Sequence, residues 1–422
     1  MSIRSLLHPA GQVPAEYRKI CLHLYLDIAW FGVLAASAIS FVSVYATHQG
    51  ADPFEIGLLT AGPAAVNLML TLPAGQWLER RPIHRAVFWT AAFSRIFYLL
   101  WVPLPWLLAP TGQVWALIGM TLIMSIPATA LAVGFNALYA QAIPPGLRGH
   151  VVGIRNAVLA IVTIIVSLLC GQILDRLPFP ASYQVVFGIG FLGAAMSTLH
   201  LRFVIPLSTA QAAGDSAGSP QPAARTLAPV RSQLLRLLNL RILRGSFGKL
   251  IAVLFVWHLA LNLVIPLYPA QWVRQIHLTD QEIGLGNAVF YIGVFAGSTQ
   301  LARLVRRFGN QRVTALGGIL MASYPALMGP AKGLDLFLVG SAGGGVGWAL
   351  VSGALLNYIL EKIPEENRPA HLAWYNLAYN AAILCGSFLG PAVGSMVSLP
   401  TAMLIGGAAR LLAALLILFW ER

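Results

Sequence analysis

Charged residues are scarce in this sequence: they make up 10% of its 422 residues, while hydrophobic residues make up 58%. In soluble globular domains roughly a quarter of the residues are charged. A chain with so few charges lacks the polar surface that a water-soluble fold of this length requires. The composition therefore excludes a set of soluble domains and predicts a polytopic membrane protein.

Cysteines and the short motifs of catalysis are equally sparse. The three cysteines, Cys21, Cys170 and Cys385, lie in apolar stretches, so their spacing indicates no disulfide framework. The chain has no phosphate-binding Gly-x-x-x-x-Gly-Lys-Ser/Thr loop and no zinc-binding His-Glu-x-x-His. We therefore expect no metal site, no cofactor, no ATP-driven pumping and no enzyme activity. Residues 1–19 contain no apolar run typical of a cleaved signal, and we interpret them as a cytoplasmic leader.

The sequence does contain a duplicated stretch. Residues 52–85 and 279–312 align without a gap, and each has Glu-Ile-Gly-Leu near its start, at 55–58 and 282–285. An apolar run of about twenty residues follows in both, which is the length that a bilayer core demands. An arginine-rich turn then ends each copy. The match predicts that the chain is two copies of one ancestral unit.

The starts of the two copies also share their helix-capping chemistry. Asp52 and Thr279 are residue types that accept hydrogen bonds from the free amides at the start of a helix. Glu55 and Glu282 stand at the third helical position, so each copy predicts a capping box. In the first copy Pro53 occupies the position where a missing N–H costs nothing.

Twelve apolar segments are long enough to cross a bilayer. They are predicted at 20–46, 53–78, 84–108, 113–142, 149–174, 181–205, 247–273, 280–304, 311–330, 334–361, 369–395 and 399–420. A second repeated motif, Ile-Pro-x-x-x-Arg at 143–148 and 363–368, supports a division of the chain into two halves. The predicted parts are the leader at 1–19, a six-helix bundle at 20–205, a cytoplasmic basic linker at 206–246 and a second six-helix bundle at 247–422.

The net charge of +13 is distributed unevenly over this map. Of the lysines and arginines, 22 fall on one side of the membrane, three on the other and two, Arg95 and Arg410, within segments. The positive-inside rule then places both termini and the linker in the cytoplasm, with the protein in the plasma (inner) membrane. The charge is therefore no sign of nucleic-acid binding. Residues 231–249 carry arginines and leucines at helical spacing, which favours a segment lying on anionic membrane lipids.

With this topology the chain resembles the major facilitator superfamily from about residue 20 to 420. The turn after the second segment is similar to the loop signature of that family, with Glu79 in place of its aspartate. The matching positions are Gly75, Arg80 and Arg85 in the first copy and Arg307 and Gly309 in the second. The resemblance implies an all-α polytopic membrane protein of twelve transmembrane helices in two pseudo-symmetric six-helix bundles, and we expect a monomer. It also implies that segments one, four, seven and ten line a central cavity. Glu79 would contact the opposite bundle near His371 when that cavity opens outward.

Asp27 is the only acid well inside an apolar segment, and His23 lies one turn earlier on the same helical face. An Asp–His pair can take up and release a proton, which makes both residues coupling candidates. The alternative is a structural ion pair in which Arg155 or Arg95 keeps Asp27 ionised. Arg155, the third coupling candidate, either binds a substrate carboxylate or extends to the membrane interface. Arg95 and Arg410 are expected to turn inward, toward polar groups or carbonyls of neighbouring helices.

Aromatic and amide side chains cluster in segments seven and eleven. Such a wall suits an organic solute that is held by stacking and hydrogen bonds. The alternative is interhelical hydrogen bonding by the amides and anchoring of the aromatic rings at the membrane interface. The candidates for the substrate cavity are Trp30, Asn136, Asn156, Trp257, His258, Asn262, Asn357, Tyr375, Asn376 and Tyr379.

These patterns together favour a secondary active transporter that moves a small organic solute by alternating access. The scarcity of charge in the expected cavity favours a neutral, amphipathic or weakly ionised solute. Proton-coupled efflux is one form of transport that we expect. One alternative is a non-transporting membrane sensor or scaffold that uses the basic linker. Another is a lipid-translocating member of the same fold. A membrane-embedded enzyme would need a catalytic motif that the sequence lacks.

Overall fold

The computed structural model describes residues 13–207, 240–364 and 368–420, which are helical apart from short connections. The predicted linker core at 208–229, residues 231–239 of the predicted surface segment at 231–249 and residues 1–12 of the leader lie outside the described residues. The helices are Ala15–His48 (helix 1), Pro53–Glu79 (helix 2), Ile83–Arg95 with its continuations Phe97–Trp101 and Leu104–Leu107 (helix 3), Pro110–Ala142 (helix 4), Pro145–Arg176 (helix 5), Ala181–Arg202 (helix 6), Ser246–Gln275 (helix 7), 280–308 (helix 8), 310–328 (helix 9), Leu334–Lys362 (helix 10), Arg368–Met396 (helix 11) and Leu399–Phe419 (helix 12).

Helices 8 and 9 form one helical run, Asp280–Met328, that changes direction at Gly309. This residue has φ 79° and ψ 164°, a backbone conformation that glycine adopts readily and other residues rarely do. With that run counted once, ten helices in the described ranges are long and apolar enough to cross a membrane. Helix 3, predicted as one span, breaks near Pro103 and Pro105, which have no backbone N–H to continue it. Helix 1 begins at Ala15, inside the predicted leader.

Both predicted capping boxes are confirmed. The Glu55 amide donates to the Asp52 carboxylate over 2.8 Å, and the Asp52 amide donates back to Glu55 over 3.0 Å. In the second copy the Thr279 amide donates to Glu282 over 2.8 Å, and the Glu282 amide donates to the Thr279 hydroxyl over 3.2 Å. The duplicated sequence therefore starts two helices with the same local chemistry.

The helices pack as two matching groups of six. Helix 1 packs against helix 5 as helix 7 packs against helix 11. Helix 2 packs against helix 4, and in the second group Gly293 of helix 8 lies against Ala342 of helix 10. The equivalent pairs confirm an all-helical membrane fold with two pseudo-symmetric bundles.

The two bundles meet along two helix pairs, helix 2 with helix 11 and helix 5 with helix 8. Both contacts involve the glycine of the repeated Glu-Ile-Gly-Leu. Gly57 lies against the backbone carbonyl of Ser387, and Gly284 lies against the backbone of Ser167 and Gly171. A methyl group at either glycine would overlap the opposing carbonyl oxygen. The repeated motif therefore marks where the bundles touch.

We expect Gly57→Ala and Gly284→Ala each to destabilise the purified protein by about 1–3 kcal/mol, the usual cost of adding a methyl group to a filled contact. The measurement is a thermal-shift curve of the full-length protein in detergent. Gly75→Ala in helix 2 is the matched control, because a Cβ built at Gly75 has no neighbour within 4 Å. Equal melting temperatures for Gly57→Ala and Gly75→Ala would contradict the assignment of this contact.

Polar contacts also join the bundles at the end of the molecule where helix 1 leads into helix 2, which we call the far end. The Asp280 carboxylate at the start of helix 8 accepts hydrogen bonds from Nε2 of His48 over 3.1 Å and from the hydroxyl of Tyr183 over 2.8 Å. Arg274 of helix 7 donates to the backbone carbonyl of Ala51 over 2.6 Å. These contacts close the far end.

Further hydrogen bonds join the bundles one to two turns below the far end. The hydroxyls of Thr60 and Ser387 are 2.8 Å apart, and the Asn287 amide donates to the Ser167 hydroxyl over 2.5 Å. The first bond lies beside the Gly57 contact and the second beside the Gly284 contact. Glycine packing and hydrogen bonding therefore stabilise the same two helix pairs.

Candidate functional site

The buried acid of helix 1 lies in a network of hydrogen bonds within the first bundle. Asp27 is 3% exposed, and its Oδ2 accepts from Nη1 of Arg155 over 3.2 Å while its Oδ1 accepts from the hydroxyl of Ser197 over 2.6 Å. The same Arg155 nitrogen donates to the carbonyl of Leu24 over 2.6 Å, and the guanidinium lies 4.9 Å from the ring centre of Phe135. The acid is thus paired across helices 1, 5 and 6.

A second arginine shares this region. Arg95 of helix 3 is buried, donates to the Thr198 hydroxyl of helix 6 over 3.0 Å and interacts electrostatically with Asp27. This confirms that Arg95 turns inward toward a neighbour's polar group. Asp27, Arg95 and Arg155 together line a cavity of about 300 Å³ whose other walls are mainly apolar. The cavity therefore carries one acid together with two guanidinium groups.

His23 is not the partner of Asp27 in this structure. Its Nδ1 lies 3.1 Å from Nδ1 of His200, and its ring stacks on Phe203 at 4.9 Å between centroids. Among the described contacts, His23 has no hydrogen bond to Asp27. The contacts thus correspond to the Arg155 ion pair, one of the two alternatives that the sequence left open, and a coupling role for His23 stays a prediction.

Helix 7 places its three candidates differently. Trp257 is fully buried, with its ring against Gly318 of helix 9, so it lies inside the second bundle rather than on a cavity wall. Asn262 is buried and donates to the carbonyl of His258 one turn earlier over 2.7 Å, while Gly386 of helix 11 packs against it. The Asn262 hydrogen bond stays within helix 7 and Trp257 packs between helices 7 and 9, so neither contact matches a substrate wall or a hydrogen bond between helices.

His258 and the tyrosine pair of helix 11 do come together. Nε2 of His258 lies 3.1 Å from the Tyr375 hydroxyl, and the His258 ring meets the edge of Tyr379 at 4.6 Å. The two tyrosines stack at 6.3 Å. Asn376 on the same helix is exposed and accepts a hydrogen bond from Asn380 over 2.9 Å. The sequence clustering of segments seven and eleven thus corresponds to a real contact between helices.

The remaining cavity candidates are at least partly accessible. Trp30 is half-buried, and Asn136, Asn156 and Asn357 are exposed. Asn357 donates to the Gly353 carbonyl of its own helix over 3.3 Å. None of these four lines the two cavities described in this section, so their role as substrate contacts stays a prediction.

A second cavity, of about 340 Å³, is predominantly aromatic. It lies between helices 7, 8 and 10, with helices 9 and 12 behind it and Ser40 of helix 1 at its boundary with the first bundle. Its aromatic lining is Phe41, Tyr268, Trp272, Phe290, Tyr324, Phe337 and Trp348. The polar uncharged side chains in the lining, apart from the tyrosines, are Ser40, Asn287 and Ser341.

The rings on the helix 7 side are fixed by contacts with one another. Tyr268 and Trp272 stack at 5.7 Å with an interplanar angle of 5°. Tyr324 meets Tyr268 edge-on at 5.0 Å, and Phe337 meets Trp272 edge-on at 5.7 Å. Offset and edge-on pairs of this kind are favourable beyond the burial of their surface. The cavity therefore has a rigid aromatic wall on one side.

Arg410 of helix 12 is the charged residue in this lining, which includes no acid. It donates to the carbonyl of Leu261 over 2.6 Å and to that of Met321 over 3.3 Å. Helix 7 loses its α-helical geometry at Ile265–Leu267, beside Pro266, so carbonyls in the preceding turn lack helical partners. The guanidinium satisfies them, which confirms that Arg410 turns inward to carbonyls.

The sequence contained a signal for the aromatic cavity that was missed. On helix 10, Phe337, Ser341, Gly344 and Trp348 recur at intervals of four, three and four residues, which places them on one helical face. On helix 8, Ile283, Asn287 and Phe290 recur at intervals of four and three residues. Such a face is hard to recognise in a membrane protein, because lipid-facing and cavity-facing positions use the same apolar and aromatic residue types.

The loop-signature residues lie at the end of the molecule opposite the far end. Glu79, Arg80 and Arg85 are exposed around the turn between helices 2 and 3, and Arg307 is exposed beside Gly309. His371 is buried against Phe247 of its own bundle, at 4.5 Å between rings. The expected Glu79 contact belongs to a state open at the far end, so it stays a prediction.

The chain matches a known protein family along most of its length. The family model described as Major Facilitator Superfamily matches residues 28–262 and again 250–422. The chain is 26% identical over 152 residues to Multidrug resistance protein 2 of Bacillus subtilis, which covers 36% of this chain and 37% of that protein. It is 27% identical over 149 residues to Multidrug resistance protein 1 of the same organism, with 35% and 37% covered. The matched stretch thus spans little more than a third of these relatives.

Several solved structures resemble the whole chain. A mutant of the nucleoside transporter NupG has a TM-score of 0.71 at 13% identity and covers 96% of this chain and 100% of its own. A bacterial homologue of the iron transporter ferroportin in an inward-facing state has a TM-score of 0.68 at 16% identity, with 95% and 98% covered. The inward-open xylose transporter XylE from E. coli has a TM-score of 0.68 at 16% identity, with 96% of both chains covered. At these identities the likeness shows the fold.

Proposed function

The chain belongs to the Major Facilitator Superfamily of secondary transporters, and from that premise we propose that it exports a neutral or weakly acidic aromatic solute by alternating access. The aromatic cavity of about 340 Å³ carries this proposal. It lies between helices of the second bundle and reaches helix 1 of the first, so opposed movements of the bundles would change its exposure. The family consists of transporters, not enzymes.

The conformation and the charge map together suggest which side the cavity faces. Contacts close the far end, where helix 1 leads into helix 2. If the basic loops are cytoplasmic, as the positive-inside rule requires, the far end is external and this is an inward-facing state. A solute in the cytoplasm or in the inner leaflet would then enter from the open end.

The chemistry of the cavity supports the solute class. Seven aromatic rings offer stacking surface, and a few hydroxyl and amide groups offer hydrogen bonds. Arg410 adds a positive charge with no acid in the lining, which disfavours cations and favours neutral or anionic groups. The partial relatives in Bacillus subtilis are called multidrug resistance proteins, and export of apolar organic compounds is consistent with those names.

Asp27 is the candidate proton site for coupling, with Arg155 in place of His23 as its partner. The carboxylate bridges helices 1, 5 and 6. Protonation of Asp27 would weaken its attraction to Arg155 and free that guanidinium within the 300 Å³ cavity. We propose that this change in pairing links proton uptake to movement of the first bundle.

Binding of N-phenyl-1-naphthylamine, a neutral aromatic dye, tests the cavity. We expect Trp348→Ala to weaken dye binding to the purified protein roughly tenfold, because a lost aromatic contact contributes about 1.5 kcal/mol. The measurement is a fluorescence titration, either at the lowest detergent concentration that keeps the protein soluble or in nanodiscs, with empty nanodiscs as the blank. The planar cation ethidium should bind far more weakly than the neutral dye.

Trp115→Ala is the matched control, since Trp115 is also an exposed tryptophan but lies on helix 4 outside this cavity. Equal loss in both variants, or ethidium binding as tight as that of the neutral dye, would contradict the proposed site. Dye flux in proteoliposomes then separates a transporter from a non-transporting sensor with the same cavity.

A further inference from the structure

A groove of about 810 Å³ lies outside the space between the bundles, where helices 2, 3 and 4 meet near their arginine-bearing turn. Its outer wall is strongly exposed: Trp89 is 55% and Phe93 is 61% accessible. Helix 3, which carries these rings, packs against helix 4, and helix 4 is long and apolar enough to cross a membrane, so the groove faces the surrounding lipid. The solute cavities do not share its lining.

The groove has a floor of small residues and walls of bulky ones. Small side chains and two prolines form the floor: Pro73, Ala74, Ala86, Thr90, Pro127 and Ala130. The bulky lining residues are Leu70 and Trp77 of helix 2 and Trp89 and Phe93 of helix 3. Arg85 and Phe93 are eight residues apart on helix 3, so the groove runs about 12 Å along the helix axis. An acyl chain lying parallel to the helices has this shape and direction.

The mouth of the groove is positively charged. Arg81 and Arg85 line it and are exposed, and the Arg81 guanidinium lies 4.2 Å from the ring centre of Trp77. Neither arginine forms a salt bridge within the described residues. At the end of a membrane span, these two groups stand at the depth of the lipid headgroups.

The internal repeat shows that these features are not required by the fold. In the second copy Phe308 stands in place of Arg81, and Gln300 stands in place of Pro73. The aromatic residues Trp77, Trp89 and Phe93 correspond to Leu304, Leu316 and Leu320. Arg312 stands in place of Arg85, so the same helix arrangement forms without the aromatic walls and with only one of the two arginines of the mouth.

We propose that this groove is a binding site for an anionic glycerophospholipid of the leaflet at this end. One acyl chain lies along the floor between the aromatic walls, and the phosphate accepts hydrogen bonds from Arg81 and Arg85. Apolar burial favours any lipid with such a chain, whereas the two guanidinium groups select a net negative headgroup. The site is separate from the proposed solute cavity and does not depend on transport.

Native mass spectrometry of the full-length protein, titrated with dioleoylphosphatidylglycerol or dioleoylphosphatidylcholine, tests the site. The anionic lipid should bind on the order of thirtyfold more tightly, from about 1 kcal/mol per arginine. In Arg81→Gln/Arg85→Gln this preference should disappear. Trp89→Ala/Phe93→Ala should weaken both lipids and leave the preference intact.

Arg306→Gln/Arg307→Gln is the matched control, because these exposed arginines occupy the corresponding turn of the second bundle. It should leave the preference unchanged. Equal affinity of the wild type for the two lipids would overturn the proposal, as would the same loss in the control. Displacement by glycerol 3-phosphate, which has no acyl chain, as effectively as by the intact lipid would overturn the role of the groove.

Discussion

Replacing Asp27 with asparagine is expected to destabilise the protein by about 3 kcal/mol and to abolish solute accumulation driven by a pH gradient. The stability loss follows from geometry, because Asp27→Asn leaves the buried Arg155 guanidinium without its negative partner. The transport loss follows from the proposed coupling, because asparagine does not exchange a proton. The measurements are chemical denaturation of the purified protein and uptake into proteoliposomes.

A double variant separates the two roles of this pair. Asp27→Asn/Arg155→Gln removes both charges, so it should recover most of the stability that Asp27→Asn loses, because no unpaired charge stays buried. It should not recover gradient-driven accumulation. The two readouts therefore respond differently to the second substitution.

The possible outcomes distinguish the two interpretations of Asp27. Intact accumulation with lowered stability would show a structural ion pair and contradict the coupling proposal. Unchanged stability would contradict the pairing itself. Exchange of labelled solute without a gradient is the control, since a variant that has lost only its coupling still exchanges.

Weakening the far-end contacts is expected to open that end of the molecule. In Asp280→Asn/Arg274→Gln, the bonds from His48 and Tyr183 lose their charged acceptor, and the carbonyl of Ala51 loses its charged donor. Charge-assisted hydrogen bonds contribute about 1.5–3 kcal/mol each, and neutral replacements keep roughly half of that, so the three bonds together lose about 2–4 kcal/mol. The population open at the far end should therefore rise on the order of a hundredfold.

Cysteine labelling measures this opening. Ser387 is fully buried where helix 11 meets helix 2, so a cysteine introduced there by Ser387→Cys can report on opening. Cys385→Ser removes the exposed native cysteine, and the two other native cysteines, Cys21 and Cys170, are buried. A membrane-impermeant maleimide added from the far side should react much faster when the far-end bonds are weakened. Asp335→Asn is the control, because Asp335 is an exposed acid in the first turn of helix 10 at the same end. Equal labelling rates in the control and the double variant would contradict a gating role for Asp280 and Arg274.

Local chemistry was readable from the sequence, because it depends on residues close together in the chain. The capping boxes at Asp52 and Thr279 need only a residue and its neighbour three positions on. The inward turn of Arg95 and Arg410 follows from the cost of a guanidinium in lipid, whatever the partner is. The pattern of spans and their pairing into two bundles follow from length, apolarity and the repeat.

Partners across the fold were not readable in this way. The sequence offered His23, Arg95 and Arg155 as partners for Asp27. Only packing pairs Asp27 with Arg155 and places His23 against His200. The prediction placed the aromatic wall on helices 7 and 11, whereas the structure builds the larger aromatic lining from helices 7, 8 and 10. Helix rotation decides which ring faces a cavity, and it depends on neighbours far away in the chain.

The sequence by itself determined that this is a duplicated, all-helical polytopic membrane protein of transporter type, because hydrophobic length, caps and charge asymmetry act locally. Only the tertiary structure decided that Gly57 and Gly284 are where the bundles touch, that Asp280 joins them at the far end and that an aromatic cavity lies between helices 7, 8 and 10. In a membrane, apolar side chains facing lipid and those facing a cavity obey the same preference. Long-range packing therefore has to choose between them.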